Sequence, residues 1–240
     1  MDLIYVLGPT VIGLIAAISI SVYCWSRFRV ASVAILIWFA ISVVVGQFAF
    51  YPDDSYSQLE GLMRFTAFGT LAFGPAAVLI FMALKVESFK SALSKIPTSA
   101  LVLTQAYRIG GIFLIIAYFS GDLPAEVGLV SGVMDVTIAI TAVLLANHLR
   151  KDEGRSRTVV IAWGTLSLID FAWATIVKSA AFFELLQISP VPLALGNPPL
   201  LIISLFALPL GIFISFYLIL RAKEQSQMPG QSKSRKWQQT

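Results

Sequence analysis

Residues 125–148 read AEVGLVSGVMDVTIAITAVLLANH, a run in which only Glu126 and Asp135 are acidic and no residue is a lysine or arginine. A helix needs about 20 mostly apolar residues to cross a ~30 Å hydrocarbon core, and this stretch is long enough. Gly128, Gly132, Asp135 and Ala139 fall at spacings of three and four, one stripe of a helix rather than the alternation of a strand. Small residues on that stripe let a neighbouring backbone approach closely. A charge at the centre of such a helix costs about 2.5–3.5 kcal/mol unless it faces a bundle interior or a cavity. The stretch therefore predicts a membrane-spanning helix whose Gly128–Asp135 face looks inward.

Working outward, six further apolar stretches match it, giving spans at about 3–25, 30–50, 65–84, 97–120, 125–148, 158–183 and 198–221. The 240-residue chain is 58% hydrophobic and 12% charged, against about 25% charged in an ordinary soluble domain. A mean hydropathy of +0.84 excludes a soluble enzyme, a disordered hub or a nucleic-acid-binding domain as whole-chain readings. No alternating strand pattern suggests a β-barrel. The expected fold is all-α, a polytopic integral membrane protein with seven transmembrane helices in one domain over 1–221, with a disordered polar tail over 222–240. Met1-Asp2 opens without the basic residues of a signal peptide, so the first span is expected to be retained.

Basic residues set the orientation. The first, third and fifth connections and the tail hold Arg27, Arg29, Lys85, Lys90, Lys95, Arg150, Lys151, Arg155, Arg157, Arg221, Lys223, Lys233, Arg235 and Lys236, 14 of the 17 in the chain. The opposite connections hold Arg64 among Asp53, Asp54, Glu60, Asp122, Glu126 and Glu184. The asymmetry predicts the N-terminus outside and the C-terminus in the cytoplasm, in a plasma membrane such as the bacterial inner membrane. Between spans three and four, Val86, Phe89, Leu93 and Ile96 recur at helical spacing beside lysines, which predicts an interfacial helix over about 86–96; the alternative is a solvated linker. The apolar outer connection 184–199 is expected to fold back over the bundle mouth.

Three charges lie near the centres of spans. Arg108, Asp135 and Asp170 each lie ten to twelve residues from the start of their helix, so three consecutive antiparallel helices bring a charge to the same depth. Read with α-helical periodicity, Thr104 and Gly111 align with Arg108, Gln105 lies adjacent, and Ser167 aligns with Asp170. The expected site is Arg108, Asp135 and Asp170, with Gln105, Thr104 and Ser167 around them. One arginine facing two aspartates leaves a net charge of −1, and two close carboxylates do not both ionise cheaply, so the site calls for one exchangeable proton or cation. The bland alternative is an Arg–Asp pair that locks three helices together. Lys178, about 12 Å along its helix from Asp170, is expected to reach the headgroups. Pro75 and Pro209 fall mid-span and are candidate hinges. The Gly128/Gly132 pair could serve the fourth span or a homo-oligomer.

Catalytic, cofactor and metal chemistry find no purchase. Cys24 is the sole cysteine and His148, at a helix end, the sole histidine, which excludes a zinc or iron–sulfur cluster and a bis-histidine haem. Asp53, Asp54 and Glu60 match no calcium-loop spacing. The seventh span holds no lysine for retinal, and phosphate-binding glycine loops are absent. No enzyme activity, cofactor, metal or nucleic-acid partner is expected.

Tyr107-Arg108-Ile109-Gly110-Gly111, followed by Gly121-Asp122-Leu123-Pro124 and then Gly132-Val133-Met134-Asp135, resembles a pattern in a group of multi-spanning bacterial membrane proteins of unknown function. There an arginine-glycine helix, a Gly-x-Leu-Pro turn and a Gly-x-x-Asp helix follow one another. The resemblance covers residues 107–135 and implies that Arg108 and Asp135 act as a unit. Two functional readings follow. The first is a small carrier or proton relay holding a small polar or ionic substrate at mid-membrane. The second is a non-transporting subunit, assembly partner or sensor, including one that binds lipid or pigment, with the Arg–Asp network as a structural lock.

Overall fold

A computed structural model describes residues 3–25, 28–50, 58–151 and 156–226, and these are mostly helical with no strand among them. Among the described residues, six helices are long and apolar enough to cross a membrane: Leu3–Trp25, Gln58–Lys85, Thr98–Phe119, Ala125–Lys151, Arg157–Phe182 and Ile203–Glu224. This is compatible with a multi-spanning membrane protein. Apolar side chains such as Val30, Phe119 and Ile176 face outward at 85%, 77% and 63% exposure, a distribution that water would penalise and hydrocarbon would not.

The first two helices are α1 (Leu3–Trp25) and α2 (Arg29–Val45). The second is shorter than the expected 30–50. Its last turn closes where the Gly46 amide donates to the Ser42 carbonyl, and the chain beyond leaves the helix so that the Phe50 amide reaches the Gly196 carbonyl at 3.0 Å. At 17 residues it spans about 25 Å, the lower limit for a crossing. Next come α3 (Gln58–Lys85), unbroken through Pro75, and the short α4 (Glu87–Ser94). The latter matches the expected amphipathic segment, but its apolar side turns to the bundle: Leu93 is buried and Phe89 packs on Phe213.

The fourth stretch is not one helix. It runs as α5 (Thr98–Thr104), a 3-10 segment (Gln105–Gly111) and α6 (Ile112–Phe119). Gly121 then adopts a φ of +82°, the left-handed conformation that ends helices, and the amides of Asp122 and Leu123 both reach back to the Ala117 carbonyl. Pro124 follows and opens α7 (Ala125–Lys151), and α8 is Arg157–Phe182. The connection 184–199 does fold back: a 3-10 turn at Leu193–Gly196 buries Leu195, while Leu185 stays exposed. The last stretch begins as a π-helical turn (Ile203–Ala207) and continues as α9 (Leu208–Ser226).

The π turn has a local cause. Pro209 has no N–H and cannot close an α-helical bond to the Leu205 carbonyl, which instead accepts the Ser42 hydroxyl at 3.5 Å. The Ala207 carbonyl likewise accepts the Tyr107 hydroxyl at 2.7 Å. The most extensive contacts join α8 to α9, and α7 to the 3-10 segment. At one end of the bundle Lys90 pairs with Glu224 at 3.4 Å, and Arg221 donates to the Ile96 carbonyl, tying α4 to α9. Residues 222–226, expected as the start of a disordered tail, belong to α9, which continues to Ser226. Residues 227–240 lie outside the described residues, as do Asp53, Asp54, Arg27 and Arg155.

Candidate functional site

The geometry of Arg108 follows from the local helix type. Seven residues is long for a 3-10 run, and with three residues per turn side chains at i and i+3 eclipse. Gln105, Arg108 and Gly111 therefore line one face, and all three are buried. Thr104 lies a third of a turn away. Its hydroxyl donates to its own helix at the Leu101 carbonyl (2.6 Å), so it does not join the cluster as α-helical spacing predicts.

The three charges inside the long helices do meet. Arg108 Nε donates to Asp135 Oδ1 at 2.5 Å, Nη2 donates to Asp170 Oδ2, and Nη1 donates to Ser167 Oγ. The Phe171 ring covers the guanidinium with its centroid 4.1 Å from Cζ. Arg108, Asp135 and Asp170 are 3%, 9% and 2% exposed, so the pairing takes place out of solvent, where each charge depends on its partners. Ser167 shares a hydrogen bond of 2.8 Å with Ser215 of α9. Gln105 Nε2 lies 3.2 Å from the Gly211 carbonyl and 3.3 Å from Ser215 Oγ. The network thus stitches the 3-10 segment to α7, α8 and α9.

Backbone proximity makes the pairing of Arg108 with Asp135 possible. A Cβ built on Gly111 would stand 2.3 Å from Asp135 Cβ and 2.9 Å from the Gly132 carbonyl, and one on Gly132 would stand 2.9 Å from the Gly111 carbonyl. A Cβ on Gly128 would meet the Leu114 carbonyl at 2.9 Å. The small stripe of α7 is therefore occupied by the fourth stretch of the same chain.

Three buried polar atoms in or beside this network make no short hydrogen bond: Asp170 Oδ1, Ser131 Oγ and Gln105 Oε1. The Ser131 hydroxyl lies beside the Asp170 carboxyl and interacts with it, so anything bound next to one meets the other. Both residues line a cavity of about 80 Å³, with Arg108 and Asp135 also in its wall. The remaining wall is mostly apolar, with Ile12 from α1, Leu114 from α6, Leu195 from the returning connection and Phe206 from the π turn. A single water needs about 10–15 Å³, so the space admits several waters or one small solute.

Lys178 does not reach toward headgroups. It is 6% exposed, with its ammonium 3.2 Å from the centroid of the Phe68 ring, because the first turns of α3 and the last turns of α8 pack together through Phe65 and Phe182. Nearer the start of α3, Glu60 pairs with Arg64 at 2.7 Å. Among the described residues no three His, Cys, Asp or Glu side chains gather as a metal site.

Spacing in the sequence carries a signal for two site residues that the expectation omits. Ser215 follows Gly211 by four, a small-residue stripe like that of α7, and Ser131 precedes Asp135 by four. Phe171 has no signal beyond its place next to Asp170.

Fold and site together define an all-helical protein with membrane-length apolar helices around a buried Arg–Asp–Asp node. Residues 66–222 match the family described as a domain of unknown function (DUF8737), and the chain belongs to that family. No curated protein and no solved structure matches it.

Proposed function

We propose that the chain is a small carrier or proton relay of a plasma membrane, with Arg108, Asp135 and Asp170 as its midplane site. The proposed topology has seven spans, with α2 as the shortest, the N-terminus outside and the C-terminus in the cytoplasm. The concentration of lysine and arginine in alternate connections supports it. One observation carries the functional reading: Asp170 holds Arg108 with one carboxylate oxygen, keeps the other outside that ion pair, and lines the cavity beside Ser131. One guanidinium facing two carboxylates lacks one positive charge, and a proton or small cation at Asp170 would supply it.

Flux driven by a pH gradient in proteoliposomes tests the proposal. Asp170→Asn and Asp135→Asn are expected to abolish flux in protein that still inserts and folds. The second reading, a structural lock in a non-transporting subunit or sensor, is favoured by the commitment of all three guanidinium nitrogens to side-chain partners. No flux from the unsubstituted protein, with lowered thermal stability in both variants, would establish the non-transporting lock instead; flux unchanged by both substitutions would show that the node does not carry it.

A further inference from the structure

We infer that the exchangeable occupant of the cavity beside Asp170 is a small organic ammonium ion, bound in competition with a proton. The inference rests on the carrier reading and names its substrate class.

The charge of the wall selects the sign. Arg108 spends three of its five N–H donors on Asp135, Ser167 and Asp170, and two carboxylates against one guanidinium leave the wall net negative, which disfavours an anion. Asp170 and Ser131, both 2% exposed, line the cavity side by side, and their oxygens can accept hydrogen bonds. Among the residues lining the cavity, the charged or titratable groups are Arg108 and Tyr107 from the 3-10 segment, Asp135 from α7 and Asp170 from α8; α1 and the π turn contribute none.

The rest of the wall selects the body. A bare sodium ion needs its hydration shell replaced by oxygens, and a mostly apolar wall offers few. An alkylammonium ion needs acceptors only at its nitrogen and can set its carbon atoms against Leu114, Ile203 and Phe206. A volume of about 80 Å³ admits a small alkylammonium ion, and a quaternary ion has no N–H to offer the Asp170 carboxylate.

Binding is an exchange. The site with Asp170 protonated plus R–NH₃⁺ becomes the site with Asp170 ionised and paired to R–NH₃⁺, and the proton leaves to solution. The net charge of the site is zero in both states, so neither state leaves an uncompensated carboxylate in the bundle interior.

The test titrates ethylammonium chloride into the purified full-length protein in detergent, by calorimetry with a pH indicator present. The expected result is saturable binding with release of about one proton per ion, and an affinity that falls about tenfold for each pH unit of acidification while the proton competes. Tetraethylammonium and sodium are expected not to bind. Asp170→Asn should remove binding. Ala174→Leu, which fills the cavity wall one turn from Asp170 without touching the ionic network, should weaken it at least tenfold at unchanged melting temperature. Absence of ethylammonium binding, equal binding of sodium, binding without proton release, or an Ala174→Leu variant that binds normally would each overturn the inference. Asp170-dependent proton flux without ethylammonium binding would overturn the inference and leave the relay standing. Ethylammonium binding without any flux would support the site and overturn the carrier reading.

Discussion

Arg108 cannot shed its proton, so wherever it sits it brings a full charge, and in this chain that charge is matched by two carboxylates and a hydroxyl rather than by water. Removing one partner of a buried ion pair costs about 3–5 kcal/mol, because the other charge is left uncompensated, whereas replacing all partners by apolar residues of similar size is often neutral. Arg108→Met is therefore expected to lower stability by about 3–5 kcal/mol in thermal unfolding in detergent. The triple variant Arg108→Met, Asp135→Leu, Asp170→Leu should recover most of that loss and still carry no flux. Flux retained by the triple variant would separate the node from function. Arg108→Lys belongs with the losses: an ammonium lacks the planar fork that reaches two helices at once and stacks on Phe171.

At the scale of the element, the 3-10 segment decides which side chains share the face of Arg108. Gln105, in register, is fully buried and bonds across to α9, while Thr104 bonds only to its own helix. Gln105→Leu should therefore lower stability by about 1–3 kcal/mol by orphaning partners on α9, and Thr104→Ala by less than about 0.5 kcal/mol. Equal losses at the two positions would mean that the segment is α-helical. The contact of this segment with α7 is equally specific. Gly111→Ala places a methyl group 2.9 Å from the Gly132 carbonyl, a backbone atom that cannot rotate away, and should cost about 1–3 kcal/mol or more. Gly74→Ala, where an added Cβ meets nothing within 4 Å, should instead be neutral or stabilising by up to about 1 kcal/mol. Melting temperatures of the purified variants read both effects.

For the whole molecule, the proposed topology makes a direct prediction. In a Cys24→Ala background, Asp122→Cys should react with a membrane-impermeant thiol reagent added outside cells, and Lys95→Cys only after the membrane is opened. Labelling of both from outside would overturn the orientation drawn from basic residues. Labelling of neither would show that both ends are covered. The assembled bundle also explains why few polar groups compete for the node: α1 and the returning connection close over it with Ile12 and Leu195.

From sequence alone followed the helical class, the positions of the long apolar helices, the inward face of residues 128–135, and the meeting of Arg108, Asp135 and Asp170. The reason is that hydrocarbon-length apolar runs and the cost of a lone buried charge are local constraints, each readable from composition and spacing. The break of the fourth stretch into a 3-10 segment, the π turn before Pro209, the joining of Ser215 and Phe171 to the node, and the burial of Lys178 against Phe68 were decided only by the tertiary structure. Each depends on which backbone lies opposite: a departure from α-helical periodicity persists where a neighbouring helix satisfies the freed group, and neighbours across the bundle are not encoded in the spacing of a single helix.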